Sequence, residues 1–352
     1  MAAPNSSPQP SAPPAEAQEP AAIVCAEDGD VILVLQNGKR LRVLAGVLSR
    51  VSPVFKTMLG PNFLEGQAPR SAEDPKELKL PDDSADAMNV LARFTHGLPS
   101  GPEAYDRWMM LPFSTLVLEL GVLADKYDCT TAASMAAEVL MLRHVAHMKH
   151  DPSAIVSKTT VDAYGKLAVA AFMLRMDNFF AFFTRRLVLD AVASFGQLFE
   201  TQEYGVLPSN ITPSLEEQRT AVREVLVATV ASQAHGMCQH CSRKSTGGTY
   251  ATELARLLGL PHRPPPWSEH RTRNVLHGLY ICKPVKLGYE YTCNHPNTSK
   301  LETFQLHKIC HAASERAYGL CLTCARQNKL QLNCEHVSEL KARSMNDPFI
   351  QA

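Results

Sequence analysis

The stretch from Asp30 to Gly66 narrows the fold more than any other part of the chain. Val31, Leu33 and Leu35 alternate with other residues in one run, and Leu41 and Val43 do so in the next. That is the period of two expected of a strand with one face buried. Asn37-Gly38 lies between the runs; both residues tolerate the positive φ of a tight primed turn, so a hairpin is predicted. A helix follows the second strand, and Ser52-Pro53 opens another. Serine can cap it, and proline fits the first turn, where a missing N–H costs no hydrogen bond.

The ordered set Asp30-Val31, Val47-Leu48, Ser52-Pro53-Val54-Phe55, Met58-Leu59 and Phe63-x-Glu65-Gly66 resembles the start of a fungal-type BTB/POZ domain, a protein-interaction module. Leu123-Ala124-Asp125-Lys126-Tyr127 before Asp128-Cys129 is similar to the late helical part of such a domain. One departure is that many BTB domains carry a histidine just after the second strand, where this chain has Leu44-Ala45-Gly46. The resemblance implies an α+β fold with a short mixed sheet and helical hairpins. It also implies a protein that dimerises, scaffolds complexes, or serves as a substrate adaptor on a cullin-type ubiquitin ligase. Val54, Phe55, Met58 and Leu59 should divide between the core, where Phe55 is expected, and a self-association face. Phe63 and Glu65 follow that hairpin and are the expected partner contacts.

At 352 residues the chain has room for two or three domains and a sizeable core. A formal net charge of zero removes the simplest case for nucleic-acid binding, which draws on a basic surface to displace counterions. No apolar run approaches the roughly 20 residues of a membrane span, and the first residues lack the basic and hydrophobic regions of a secretory signal. A cytoplasmic or nuclear protein is therefore expected, with its ten cysteines reduced or metal-bound rather than paired as disulfides. The Asn-x-Ser/Thr matches at Asn5, Asn210 and Asn297 are then chance.

Residues 1–22 are rich in Pro, Ala and Ser and read as a disordered tail, because they hold too few large apolar groups to offset ordering entropy. Residues 23–150 read as the BTB-like unit. Residues 77–81 are its third strand, and a helix opens at Ser84 with Met88, Leu91 and Phe94 inward. A stripe of Leu116, Leu120, Leu123 and Tyr127 follows, then a helix over 132–147. Residues 151–235 read as a helical extension, with Leu167, Ala171, Leu174, Phe179, Phe183 and Leu187 as core and a last helix over 215–232. Its pattern is similar to the extension that follows fungal-type BTB domains.

Residues 236–352 change character, since eight of the ten cysteines lie between Cys238 and Cys334. Four short pairs stand out: Cys238-x-x-Cys241, Cys293-x-His295, Cys321-x-x-Cys324 and Cys334-x-His336. Two such pairs can surround one tetrahedral zinc ion, so structural zinc is expected on these eight residues, with Cys282, Cys310 and His311 as substitutes. Which pairs share an ion is left open, and buried free thiols and redox chemistry are the alternatives. No Gly-x-Ser-x-Gly elbow, His-Glu-x-x-His helix or phosphate-binding glycine loop occurs, so an enzyme is not expected. Asp82-Asp83 reads as helix capping, and His144, His147 and His150 as a solvated helix end. The rival reading is a nuclear regulator whose tail meets nucleic acid through His262, Arg263, His270, Arg271, Arg273, Lys283 and Lys286.

Overall fold

The structure, a computed structural model, describes residues 21–67, 69–98, 112–149, 158–200, 205–234, 272, 312–313, 315–331 and 334–345. The tail expected over 1–22 lies almost wholly outside these residues. Four strands form one mixed sheet in the order β1-β3-β2-β4: β1 (Ile23–Val24), β2 (Val31–Val34), β3 (Arg40–Val43) and β4 (Lys76–Lys79). β2 and β3 are antiparallel, with Leu33 opposite Leu41, whereas β4 runs parallel to β2 and sets Leu78 beside Leu33. This register puts Val31, Leu33, Leu41, Val43 and Leu78 on the buried face, as the period of two requires.

The hairpin is present, and Asn37 and Gly38 have φ of 61° and 71°. Its loop is longer than the expected two residues. Leu35 closes it by donating its N–H to the Lys39 carbonyl at 2.8 Å. Leu35 is itself buried, so its side chain holds the loop against the core and lengthens the connection.

Two short helices follow, α1 (Ala45–Val51) and α2 (Pro53–Met58). Leu44 has no polar side chain to cap α1, and distant residues supply the acceptors that the first N–H groups need. His96 Nε2 accepts from the Leu44 N–H at 3.0 Å, and Asp30 Oδ1 accepts from the Ala45 N–H at 2.7 Å. Ser52 caps α2 by accepting from the Phe55 N–H at 3.0 Å, and its hydroxyl donates to the Tyr127 carbonyl at 2.5 Å. Phe55 is buried and stacks on the Tyr127 ring, with centroids 4.2 Å apart.

After a one-turn α3 (Leu64–Gln67) come α4 (Ala85–Thr95), α5 (Phe113–Lys126) and α6 (Thr130–Lys149). Ser84 caps α4. Asp83 does something other than the capping expected of it: buried, it accepts from the Tyr127 hydroxyl and from Lys126 Nζ at 2.5 Å, tying the start of α4 to the end of α5. The predicted stripe of Leu116, Leu120, Leu123 and Tyr127 is buried throughout.

The helical extension expected over 151–235 contains α7 (Lys158–Met173) and α8 (Asp177–Asp190), separated by a break, then a one-turn α9 (Phe195–Leu198) and the long α10 (Ile211–Ala234). The break is a Schellman ending. The Met176 N–H reaches back to the Ala171 carbonyl at 2.9 Å, and Arg175 takes a left-handed φ of 59°. The same ending closes α4 at Gly97 and α5 at Asp128. Glycine is the usual residue at this position, because it has no Cβ to clash, but of these three positions only that at the end of α4 is glycine. Leu167, Ala171, Leu174, Phe183 and Leu187 are buried, while Phe94 and Phe179 are half-buried. One apolar core runs without a break from the sheet through α4–α8 to Leu226 of α10.

Candidate metal centre

The last described residues form a compact unit on the helical body. It contains α11 (Leu322–Arg326) and α12 (Val337–Met345). Cys321 precedes α11, and its sulfur accepts from the Cys324 N–H at 3.5 Å. That bond curls the Cys-x-x-Cys turn so that both sulfurs face the same way. Asn328, at φ 55°, ends α11 with a fourth Schellman pattern, the Lys329 N–H reaching the Cys324 carbonyl at 2.9 Å. The reversal sends the chain back past Cys334 to His336, which joins α12 through the Leu340 N–H to His336 carbonyl bond at 3.1 Å.

The result brings Cys321, Cys324, Cys334 and His336 together, with ligand atoms all within 4.8 Å of one another. His336 Nδ1 lies 3.5 Å from Cys321 Sγ and 3.6 Å from Cys324 Sγ. Zinc bonds of about 2.3 Å to sulfur and about 2.0–2.1 Å to nitrogen imply a sulfur–nitrogen edge of about 3.6 Å in a tetrahedron. The four donors lie close enough together to hold one metal ion, and these two separations are compatible with zinc. Cys321 and Cys324 are buried beside Ala181, Tyr318, Val337 and Leu340. Burial, together with the neighbouring Cys321 and Cys334 thiols, pushes the Cys324 thiol up to about 12. A divalent cation held at these sulfurs would reverse that preference for the protonated Cys324 thiol. With Nδ1 turned to the sulfurs, His336 Nε2 lies 3.7 Å from the Glu335 carboxylate, on the side where its proton would sit.

The helical body holds this unit by polar contacts across more than a hundred residues of sequence. Gly319 and Gln218 exchange two bonds, Gly319 N–H to Oε1 at 3.0 Å and Nε2 to the Gly319 carbonyl at 3.1 Å. Thr184 Oγ1 accepts from the Leu320 N–H at 2.9 Å, and Arg185 Nε donates to the Ala317 carbonyl. Gly319 adopts φ +82° directly against the Ala181 carbonyl. Arg326 donates to the Phe172 carbonyl at 3.1 Å and lies over its ring.

Of the eight predicted ligands, the structure joins the last two pairs. Cys238, Cys241, Cys293 and His295 lie outside the described residues, as do Cys282, Cys310, His311 and the basic residues of 262–286. Cys25 and Cys129, both far from the cluster in sequence, are buried in the α+β unit, where burial pushes each thiol up to about 11. The predicted partner contacts divide. Leu59 is buried with Phe55 in the core, which removes it from any partner-facing surface. Val54 and Met58 are half-buried against that core, and Phe63 is exposed beside Leu64, itself 80% exposed. Glu65 lies within α3. The docking residues Thr184, Arg185, Gln218 and Gly319 escaped sequence reasoning, because none sits in a local pattern. The one available signal was the charged Arg185-Arg186 pair inside a Phe-rich helix, where buried cations need partners. Among the described residues, no helix is long and apolar enough to cross a membrane.

Compared with protein-family models, curated proteins and solved structures, the chain matches none.

Proposed function

We propose that this chain is a non-enzymatic interaction scaffold. A BTB/POZ-like α+β unit binds protein partners, and structural zinc staples the C-terminal segment to the helices behind it. The observation that most supports zinc is the pair of sulfur–nitrogen separations, 3.5 and 3.6 Å, which match the edge of a tetrahedral Cys3His site. Four protein ligands complete that shell, so no position is left for a water or substrate, and the ion's role is to hold the fold. Metal supplies folding free energy to a segment whose own helices, α11 and α12, are short.

Partner binding falls to the segment after α2, where Phe63 and Leu64 present large apolar side chains to solvent. Adjacent exposed apolar groups of this size mark a docking surface more often than isolated ones do. The mechanistic form we favour is a substrate adaptor. In it this face meets a second copy or the N-terminal region of a cullin, while the zinc-stapled end presents a target.

Two measurements on the full chain test these halves. Purified protein is expected to carry zinc, and a chelator to expose residues 315–345 to protease while residues 21–149 stay resistant. Tail protection that persists after complete metal removal would refute the structural zinc. Calorimetry against a cullin N-terminal region is expected to give micromolar or tighter binding that Phe63→Asp abolishes. A folded chain that fails to bind is no adaptor of this kind.

A further inference from the structure

The three cysteines of the candidate metal centre differ in how solvent reaches them. Cys321 and Cys324 are buried, whereas Cys334 is half-buried. A partly open crevice lies beside them, lined by Ser214 and Gln218 of α10 on one side and by Gly319 and exposed Gln331 on the other. Cys321 and Cys334 also line this crevice, and Cys324 does not. A small neutral oxidant therefore has a route to two of the three sulfurs, and those two lie within 4.8 Å of each other. Access and a neighbouring second thiol are what single out an oxidation-sensitive cysteine from an inert one.

We infer that Cys334 and Cys321 are a peroxide-responsive pair, which closes to a disulfide and thereby gives up the metal. Only the reduced, metal-bound state rests on the zinc reading; the bridge itself needs the two thiols alone. The Cys334 sulfur attacks one oxygen of hydrogen peroxide, the O–O bond breaks, and the thiol proton leaves with the other oxygen as water. Cys334 is then a sulfenic acid. The Cys321 sulfur attacks it, the S–S bond forms, the S–O bond breaks, and the departing hydroxide takes the Cys321 proton. Two thiols and one peroxide thus give one disulfide and two waters, with two electrons passing from sulfur to oxygen. Bonded to each other, these sulfurs leave Cys324 and His336 as two ligands where structural zinc takes four. The bridge ties the same stretches of chain, before α11 and before α12, that the ion would tie. Disulfides of this kind in reducing compartments are transient and redox-sensing.

The test treats the full chain with hydrogen peroxide, alkylates the remaining thiols and maps disulfides by mass spectrometry, while a chromogenic chelator reads released zinc. A Cys321–Cys334 bridge is expected, with one zinc ion freed per bridge and the bridge reversed by a dithiol reductant. Cys321→Ser should leave a Cys334 sulfenic acid that dimedone traps, and Cys334→Ser should slow oxidation of Cys321 at least about tenfold. Mapping of the wild-type chain decides the matter even where a substitution unfolds the unit. A bridge to Cys324 instead, zinc retained after the bridge forms, or zinc-loaded protein whose Cys334 and Cys321 stay reduced would each overturn the inference. A Cys321–Cys334 bridge in protein that never carried zinc would support the pair and overturn the zinc reading alone.

Discussion

If zinc is held as proposed, Gly319→Ala separates holding the metal from holding the Cys/His segment in place. An added Cβ would lie 2.0 Å from the Ala181 carbonyl oxygen and 2.7 Å from its carbon, far inside the roughly 3.5–4.0 Å of ordinary van der Waals separation. The position also has φ +82°, and left-handed backbone costs an L-residue about 1–2 kcal/mol. Both conflicts are relieved if the segment lifts from α8. Lifting breaks the two Gln218 bonds, the Thr184 bond, the Arg185 bond and the Arg326 bond to Phe172, and it uncovers Leu320 and Leu322. At roughly 0.5–1.5 kcal/mol net for each of these five bonds, the polar part of undocking alone costs about 2.5–7.5 kcal/mol. The variant takes the cheaper route, and we expect a loss of about 3 kcal/mol of docking. The four ligands all lie within residues 321–336, on the segment itself, so zinc should stay bound. Protease cleavage within 315–345 should then rise about 100-fold, at about 1.4 kcal/mol per factor of ten, if it tracks the open population. Wild-type protection with zinc bound would refute the close approach at Gly319. Zinc lost together with protection would refute a self-contained metal unit.

Further outcomes follow from other parts of the structure. Arg175→Gly should stabilise the chain by about 0.5–1 kcal/mol, because an exposed arginine now occupies the left-handed end of α7 and glycine relieves it at some entropic cost; denaturant melts would show this. Tyr127→Phe strips one donor from buried Asp83 and should cost about 1–3 kcal/mol in the same assay. Cys25 and Cys129 hold their protons up to about pH 11 in the fold, against 9.0 for an ordinary thiol. Their contribution is therefore complete below pH 9 and is lost as pH rises from 9 to 11, and Cys129→Ala should flatten that decline. Zinc must displace protons from the Cys321, Cys324 and Cys334 thiols, so its affinity should fall with falling pH in competition titrations. Cys324→Ser should weaken it severely.

Much of the α+β unit was legible because its information is local. Alternation over residues 31–35, the Asn37-Gly38 dipeptide, Ser52-Pro53 and Ser84 act within a few residues of themselves, and each stands where it was placed. The stripe ending at Tyr127 was likewise a matter of period. The break at Arg175 was hidden, because a Schellman turn built on arginine or aspartate lacks the glycine that announces it in sequence. Asp83 was misassigned for a related reason. Its neighbours suggested a cap, yet its carboxylate answers to Tyr127 and Lys126 more than forty residues away.

The candidate metal centre shows the same division. Residue type and short spacing alone nominated Cys321-x-x-Cys324 and Cys334-x-His336, since thiolates and imidazole two or three residues apart suit one ion. That these two pairs share a site depended on the left-handed Asn328 and the return of the chain through Cys334. That the site rests on α8 and α10 depended on Thr184, Arg185 and Gln218, of which only Arg185, in its charged pair inside a Phe-rich helix, carries any signal in sequence. The sequence by itself determined which side chains can ligate, cap and alternate, because those properties reside in single residues and their near neighbours. Only the tertiary structure decided which of them meet, because backbone donors and acceptors are alike along the chain, and burial across long separations chooses their partners.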